Sequence, residues 1–174
     1  MVQRLDAWAE DIVTLAKAKR HLAGPGKARR LSAEERSMTE LVRARMKESH
    51  SSELLGFDVE SVHAGKAIFR LDVKERHTQI HGVVHGGILA ALADTTGAIA
   101  AYTAVAQGVE LATLELKINY LEPVPGGRVR AEARVLRAGR NFIVTECDIF
   151  TAEGKLAAKA LMTFSAAQGY KLAK

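Results

Sequence analysis

His77 to Tyr102 reads HTQIHGVVHGGILAALADTTGAIAAY, and this stretch decides the fold. Between Arg76 and Glu110 every residue apart from the histidines is uncharged, with one exception, Asp94. Ile, Leu and Ala in this run, opened by His85-Gly86-Gly87, predict a helix from about Gly86 to Val105, ended by Gln107-Gly108. A helix apolar on all sides is a buried one. Burying an ionised carboxylate costs several kcal/mol unless partners compensate, so Asp94 has either a structural partner or a chemical task. Capping a restarted helix at Thr95 is the structural alternative, since Asp-Thr-Thr-Gly is cap-like chemistry.

Downstream, the hydrophobic period changes to two. Residues 112–121 place Leu114, Leu116, Ile118 and Tyr120 on one face and Thr113, Glu115, Lys117 and Asn119 on the other. Pro123-Val-Pro-Gly-Gly127 is a turn. Residues 128–136, 141–151 and 155–165 form three more strands, joined by Ala138-Gly139 and Glu153-Gly154. Short connections imply antiparallel neighbours, hence a four-stranded meander. Upstream, residues 57–62 and 66–73 alternate around the turn His63-Ala-Gly65, a hairpin. One long helix with many antiparallel strands means an α+β layer architecture. Small residues on the helix (Ala90, Ala91, Ala93, Gly97, Ala98) let a curved sheet approach its backbone closely.

Two amphipathic helices are expected before the hairpin. Leu5, Trp8, Ile12 and Leu15 mark one over residues 2–21, broken by Gly24-Pro25-Gly26. Ser32 with Glu35 makes a capping box for the second, which carries Met38, Leu41, Val42 and Met46. Residues 1–50 therefore read as an N-terminal helical extension, 51–168 as the main domain and 169–174 as a tail.

Net charge is +5, of which residues 1–50 carry +4. Basic residues there alternate with acids and lack aromatic neighbours, so no nucleic-acid partner is expected. No apolar run is long enough to span a membrane. The start lacks the apolar core of a signal peptide, and a single cysteine, Cys147, fits a reducing compartment. Cytoplasmic residence follows as the expectation.

Four groups could carry chemistry. Gly86 and Gly87 leave backbone N–H groups unobstructed at a helix N-terminus, where the dipole favours negative charge. Such donors suit the oxyanion of acyl transfer, and Asp94 adds a base or nucleophile. His77, His81 and His85 recur every four residues, but the glycine-rich segment is a poor helix. An extended segment would hold them too far apart to share an ion, so no metal site is expected. His85 instead fixes the loop presenting Gly86. Arg137 and Arg140, flanking a strand turn, suit phosphate.

His85-Gly86-Gly87, Asp94 on an Ala-rich helix and the following strand Thr-Leu-Glu-Leu-Lys-Ile-Asn-Tyr-Leu-Glu-Pro (113–123) together resemble the hotdog-fold acyl-CoA thioesterases, nearest to the phenylacetic-acid-degradation type. The resemblance runs from about Leu54 to Phe164. It implies a curved antiparallel sheet wrapped around the central helix. It also implies a homodimer through sheet pairing, built into a homotetramer as a dimer of dimers, with sites at the subunit interface. The implied reaction is hydrolysis of an acyl-CoA to free acid and CoA, with no cofactor beyond the CoA of the substrate. In the implied roles, Asp94 is general base or nucleophile and the Gly86 N–H meets the thioester oxygen. Gln79 orients water or substrate, and Thr113 assists the attacking water. Gly87, Arg137 and Arg140 serve CoA binding. Two other classes stay open: an acyl-thioester dehydratase or hydratase using His85 with Asp94, and a non-catalytic acyl-CoA-binding module.

Overall fold

The structure, a computed structural model, describes residues 32–106 and 109–168. The expected helix over residues 2–21 and the tail at 169–174 lie outside the described residues. Helix α1 (Ala33–Met46) starts in a full capping box. The Ser32 hydroxyl accepts from the Glu35 N–H at 3.2 Å, and the Glu35 carboxylate accepts from the Ser32 N–H at 2.6 Å. A short helix α2 (His50–Leu55) follows, then strands β1 (Phe57–His63) and β2 (Lys66–Asp72), the hairpin. Helix α3 (Gly86–Tyr102) precedes β3 (Val109–Tyr120), β4 (Arg128–Ala138), β5 (Phe142–Phe150) and β6 (Leu156–Gln168).

The six strands form one antiparallel sheet in the order β1-β2-β4-β5-β6-β3. Helix α3 touches all six, which a flat sheet could not allow, so the sheet curves around it. The closest approach is at Gly97. A Cβ there would lie 2.7 Å from Cε and 2.9 Å from Sδ of Met162 on β6, so the small residue lets the sheet close on the helix backbone. The core between them holds Phe69, Leu71, Ile143, Met162 and Phe164 against Leu89 and Leu92, all fully or nearly fully buried.

Three sequence expectations need correction. Helix α3 ends at Tyr102, short of Val105, because the Thr103 hydroxyl donates to the Ala100 carbonyl and accepts the Gly65 N–H, both at 2.6 Å. That bond ties the helix end to the β1–β2 turn.

The meander is broken as well. Among the described residues β3 pairs only with β6, and it lies three strands from β4. Residues 121–127 can span about 23 Å when extended, whereas three strand spacings need about 14 Å, so this connection can cross the sheet end.

Finally, β3 carries a bulge. Thr113 faces Phe164 and Glu115 faces Thr163, leaving Leu114 as the extra residue. The bulge reverses the phase of alternation, so Thr113 shares the helix-side face with Leu116 and Ile118. Parity alone had put it on the opposite face.

The two sheet edges are treated differently. On β1, α1 covers the edge with side chains that mimic a strand: the Thr39 hydroxyl accepts the Val62 N–H at 3.0 Å, and the Arg43 guanidinium donates to the Val59 carbonyl at 2.7 Å. The second helix of the extension thus docks on the main body. Thr39→Val keeps the shape but leaves the buried Val62 N–H without an acceptor. It is expected to lower unfolding stability by about 1–3 kcal/mol in urea denaturation; unchanged stability would mean that Thr39 is not what satisfies this edge. β3, at the other edge, has no such cover among the described residues. The outer face of the sheet carries ion pairs from the half-exposed Lys159 to the partly exposed Asp148 at 2.6 Å and to the nearly buried Glu146 at 3.0 Å. The more exposed pair is worth little in stability and helps keep this face wetted. Among the described residues no helix is long and apolar enough to cross a membrane.

Candidate functional site

The segment before α3 is a tight loop. Thr78 and Val84 form an isolated bridge, the Gln79 N–H donates to the Val83 carbonyl at 2.8 Å, and the Gly82 N–H closes the turn on the Gln79 carbonyl at 2.9 Å. Gly82 takes φ +75°, a conformation glycine adopts without strain. The Gln79 side-chain oxygen accepts the His81 N–H at 2.7 Å, which leaves the amide NH2 as the outward donor.

The three histidines have separate environments. His77 is buried, and its Nδ1 accepts the Lys74 N–H at 3.0 Å. Burial holds its pKa below the ordinary histidine value, and the charge of Arg76 adds to this, so the neutral ring is favoured. Its carbonyl accepts the His85 N–H at 2.8 Å, anchoring the loop to the helix start. His81 is exposed in the turn. His85 is the N-cap of α3: its Nδ1 accepts the Gly87 N–H at 2.9 Å, which puts the ring proton on Nε2. Among the described residues no group of three or more metal-ligating side chains comes together.

The two glycine N–H groups therefore differ. That of Gly87 is engaged by His85. That of Gly86 meets no acceptor among the described residues, at the positive end of the helix. Both glycines are also packed by rings. A Cβ on Gly87 would lie 3.0 Å from His85 Nδ1, and one on Gly86 would lie 3.0 Å from Cζ of Tyr120. The Tyr120 hydroxyl donates to the Gly86 carbonyl at 2.8 Å. In the sequence Tyr120 was legible only as an apolar strand position; the glycine it covers lies 34 residues away.

Asp94 lies two turns into α3, on the helix face that the sheet leaves partly open, and is only partly buried. Thr113 on β3 donates to Asp94 Oδ1 at 2.9 Å. The bulge at Leu114 makes this contact possible. A carboxylate with a neighbouring hydroxyl on an open face is a proton acceptor with a group able to orient water.

Along α3, Asp94 and Gly86 are eight residues apart, about 12 Å of helix rise. A single carbonyl carbon cannot meet both within one protomer. Gln79 likewise bonds within its own turn and makes no hydrogen bond to Asp94 among the described residues.

Arg137 and Arg140 are exposed at the β4–β5 turn, and neither has an ion pair or hydrogen bond among the described residues. The turn adjoins the site in register. Ala138 pairs with Ile143, Ile143 with Phe164, and Phe164 with Thr113, one row across four strands. Thr113 and the turn are thus about 14 Å apart along the same end of the sheet. Cys147 is fully buried, and burial pushes its thiol far above the ordinary range, so it supplies no nucleophile.

Residues 81–158 match the Thioesterase superfamily. A putative esterase of Saccharolobus solfataricus is 42% identical over 107 residues, covering 62% of this chain and 76% of that protein. Acyl-coenzyme A thioesterase 13 of Homo sapiens is 30% identical over 130 residues, covering 73% of this chain and 92% of that one. The crystal structure of a thioesterase from Haemophilus influenzae superposes with a TM-score of 0.71 at 29% identity, covering 76% of this chain and 92% of that chain.

Proposed function

The chain belongs to the thioesterase superfamily and is a thioester hydrolase of the hotdog fold, and on that premise we propose that it cleaves an acyl-CoA to a free carboxylic acid and CoA. The observation that carries the site assignment is the Thr113–Asp94 hydrogen bond on the open face of α3. Asp94 takes the proton of a water held by Thr113 as that water attacks the carbonyl, or attacks the carbonyl itself to give a mixed anhydride that a water then hydrolyses to the free acid. The developing oxyanion is met by the Gly86 N–H, with the Gln79 NH2 as a second donor. Collapse of the tetrahedral species expels CoA as a thiolate, a good leaving group because thiols ionise near pH 8.5.

The 12 Å between Gly86 and Asp94 supports a site shared by two protomers, one supplying Gly86 and the other Asp94. The long edge strand β3 supports the same arrangement. It exposes Leu114 (57%), Tyr120 (51%) and the adjoining Leu121 (53%) at an edge left uncovered by the described residues, a surface suited to pairing with a second copy. In this reading two such dimers form a tetramer. Arg137 and Arg140, free of partners among the described residues, meet the CoA phosphates. Gly87, lacking a side chain, lets the pantetheine arm approach the helix start. His85 fixes the glycine turn. The single buried cysteine suits a cytoplasmic setting.

The test is release of CoA thiol from a panel of aryl, short-, medium- and long-chain acyl-CoAs, with sedimentation to establish assembly. At least one class should turn over. Tight binding without release from any of them would establish a binding module instead. Hydration of an enoyl-CoA would establish the dehydratase chemistry.

A further inference from the structure

Two consecutive glycines are a poor way to start a helix, because glycine loses more backbone entropy on ordering than any other residue. The first turn of α3 also has no acidic residue to complement the dipole. Left alone, this turn would fray, and a frayed turn cannot aim a backbone N–H. Two side chains restrain it. His85 holds the Gly87 N–H from within the segment. Tyr120 acts from the end of β3, with its hydroxyl on the Gly86 carbonyl at 2.8 Å and its ring over the Gly86 Cα, where a Cβ would be 3.0 to 3.3 Å from three ring-end atoms.

The contact is more specific than apolar packing demands. An inward position at a strand end accepts Leu, Ile or Phe equally well. Here the side chain brings a hydroxyl to one carbonyl and leaves the ring half exposed. Partial desolvation at the Gly86 contact raises the pKa of the phenol, so the hydroxyl stays protonated as a donor throughout the neutral range.

We propose that Tyr120 is a positioning residue for the oxyanion donor: its hydroxyl, held on the Gly86 carbonyl, and its ring, laid on the Gly86 Cα, fix the orientation in which the Gly86 N–H meets the thioester oxygen. The proposal rests on the reading of Gly86 as that donor. It also explains why Gly86 is glycine. The space a side chain would fill is already taken by the tyrosine ring.

Tyr120→Phe deletes the hydroxyl and keeps the ring; Tyr120→Leu removes both. In the full chain, Tyr120→Phe is expected to lower kcat about tenfold, the effect of one hydrogen bond, with KM within about twofold of the parent. Tyr120→Leu should lower kcat further. Amide hydrogen exchange at Gly87 should accelerate in both variants, while amides in the middle of α3 stay protected as before. The proposal stands only if both readouts move. Unchanged kcat in Tyr120→Phe overturns it, as does a loss confined to KM. A lower kcat with unchanged exchange at Gly87 overturns the positioning role. If the parent protein released no thiol from any acyl-CoA, the assignment of Gly86 would fail and this proposal with it. If thiol is released and Gly86→Pro matches Gly86→Ala, the donor reading fails and this proposal with it, while the hydrolase assignment stands.

Discussion

Asp94→Asn is expected to lower kcat for thioester hydrolysis by on the order of 10³-fold while leaving fold and assembly unchanged. Asparagine has the shape of aspartate, and its Oδ1 can still accept the Thr113 hydroxyl, which donates at 2.9 Å in the parent. The packing of α3 against the sheet is therefore undisturbed. What is lost is the ability to take a proton from water or to attack a carbonyl. Steady-state kinetics with the best acyl-CoA, alongside circular dichroism and sedimentation, make the measurement. Turnover within about tenfold of the parent would sink the assignment of Asp94, since a single removable base contributes at least about 100-fold. A single turnover of the parent in heavy-oxygen water then tests the nucleophile route through hydrolysis at the aspartyl carbonyl. Label appears in the Asp94 carboxylate only if that carboxylate was the nucleophile.

The second large effect concerns a backbone atom, which side-chain truncation cannot reach. Gly86 is the first residue of α3, where proline is tolerated because the N–H has no helical acceptor. His85 ahead of it has φ −62° and ψ 132°, the extended conformation that a residue before proline adopts. Gly86→Pro should therefore keep the helix and delete the N–H. Gly86→Ala keeps the N–H and provides the control, because both variants press a Cβ on the Tyr120 ring. Both are expected to lose activity from that contact. The proline variant should fall further by about 100-fold, the usual effect of removing one oxyanion donor. Equal activities would show that the Gly86 N–H is not the donor.

Much of the fold was legible because it depends on local pattern. The apolar run after His85-Gly86-Gly87 was legible as a buried helix because its pattern is local. The Ser32–Glu35 capping box formed as expected because all of its atoms lie within four residues. The alternation of Val129, Ala131, Ala133 and Val135 put these residues inward because β4 is regular over that span. Asp94 stood out as the sole charge in its run, although the structure gives it an open helix face instead of the deep burial expected of it.

The contacts that bring the candidate site's groups together were not legible, and the reason is physical. Period-two alternation assumes an unbroken ladder, but one bulged residue, Leu114, reverses it and turns Thr113 toward Asp94. Where a bulge falls is set by hydrogen bonds to the partner strand, here β6, which the sequence of β3 does not encode alone. The connection at 121–127 is long enough either to make a hairpin or to cross the sheet, and only the pairing of β2 with β4 sends β3 to the far edge. Tyr120 reaches Gly86 through that same placement. The sequence by itself determined the elements, the helix start and the chemical groups available, because these follow from backbone and side-chain properties over a few residues. The tertiary structure alone decided which groups meet, because a hydrogen bond between residues 19 or 34 positions apart exists only once the whole sheet has found its register.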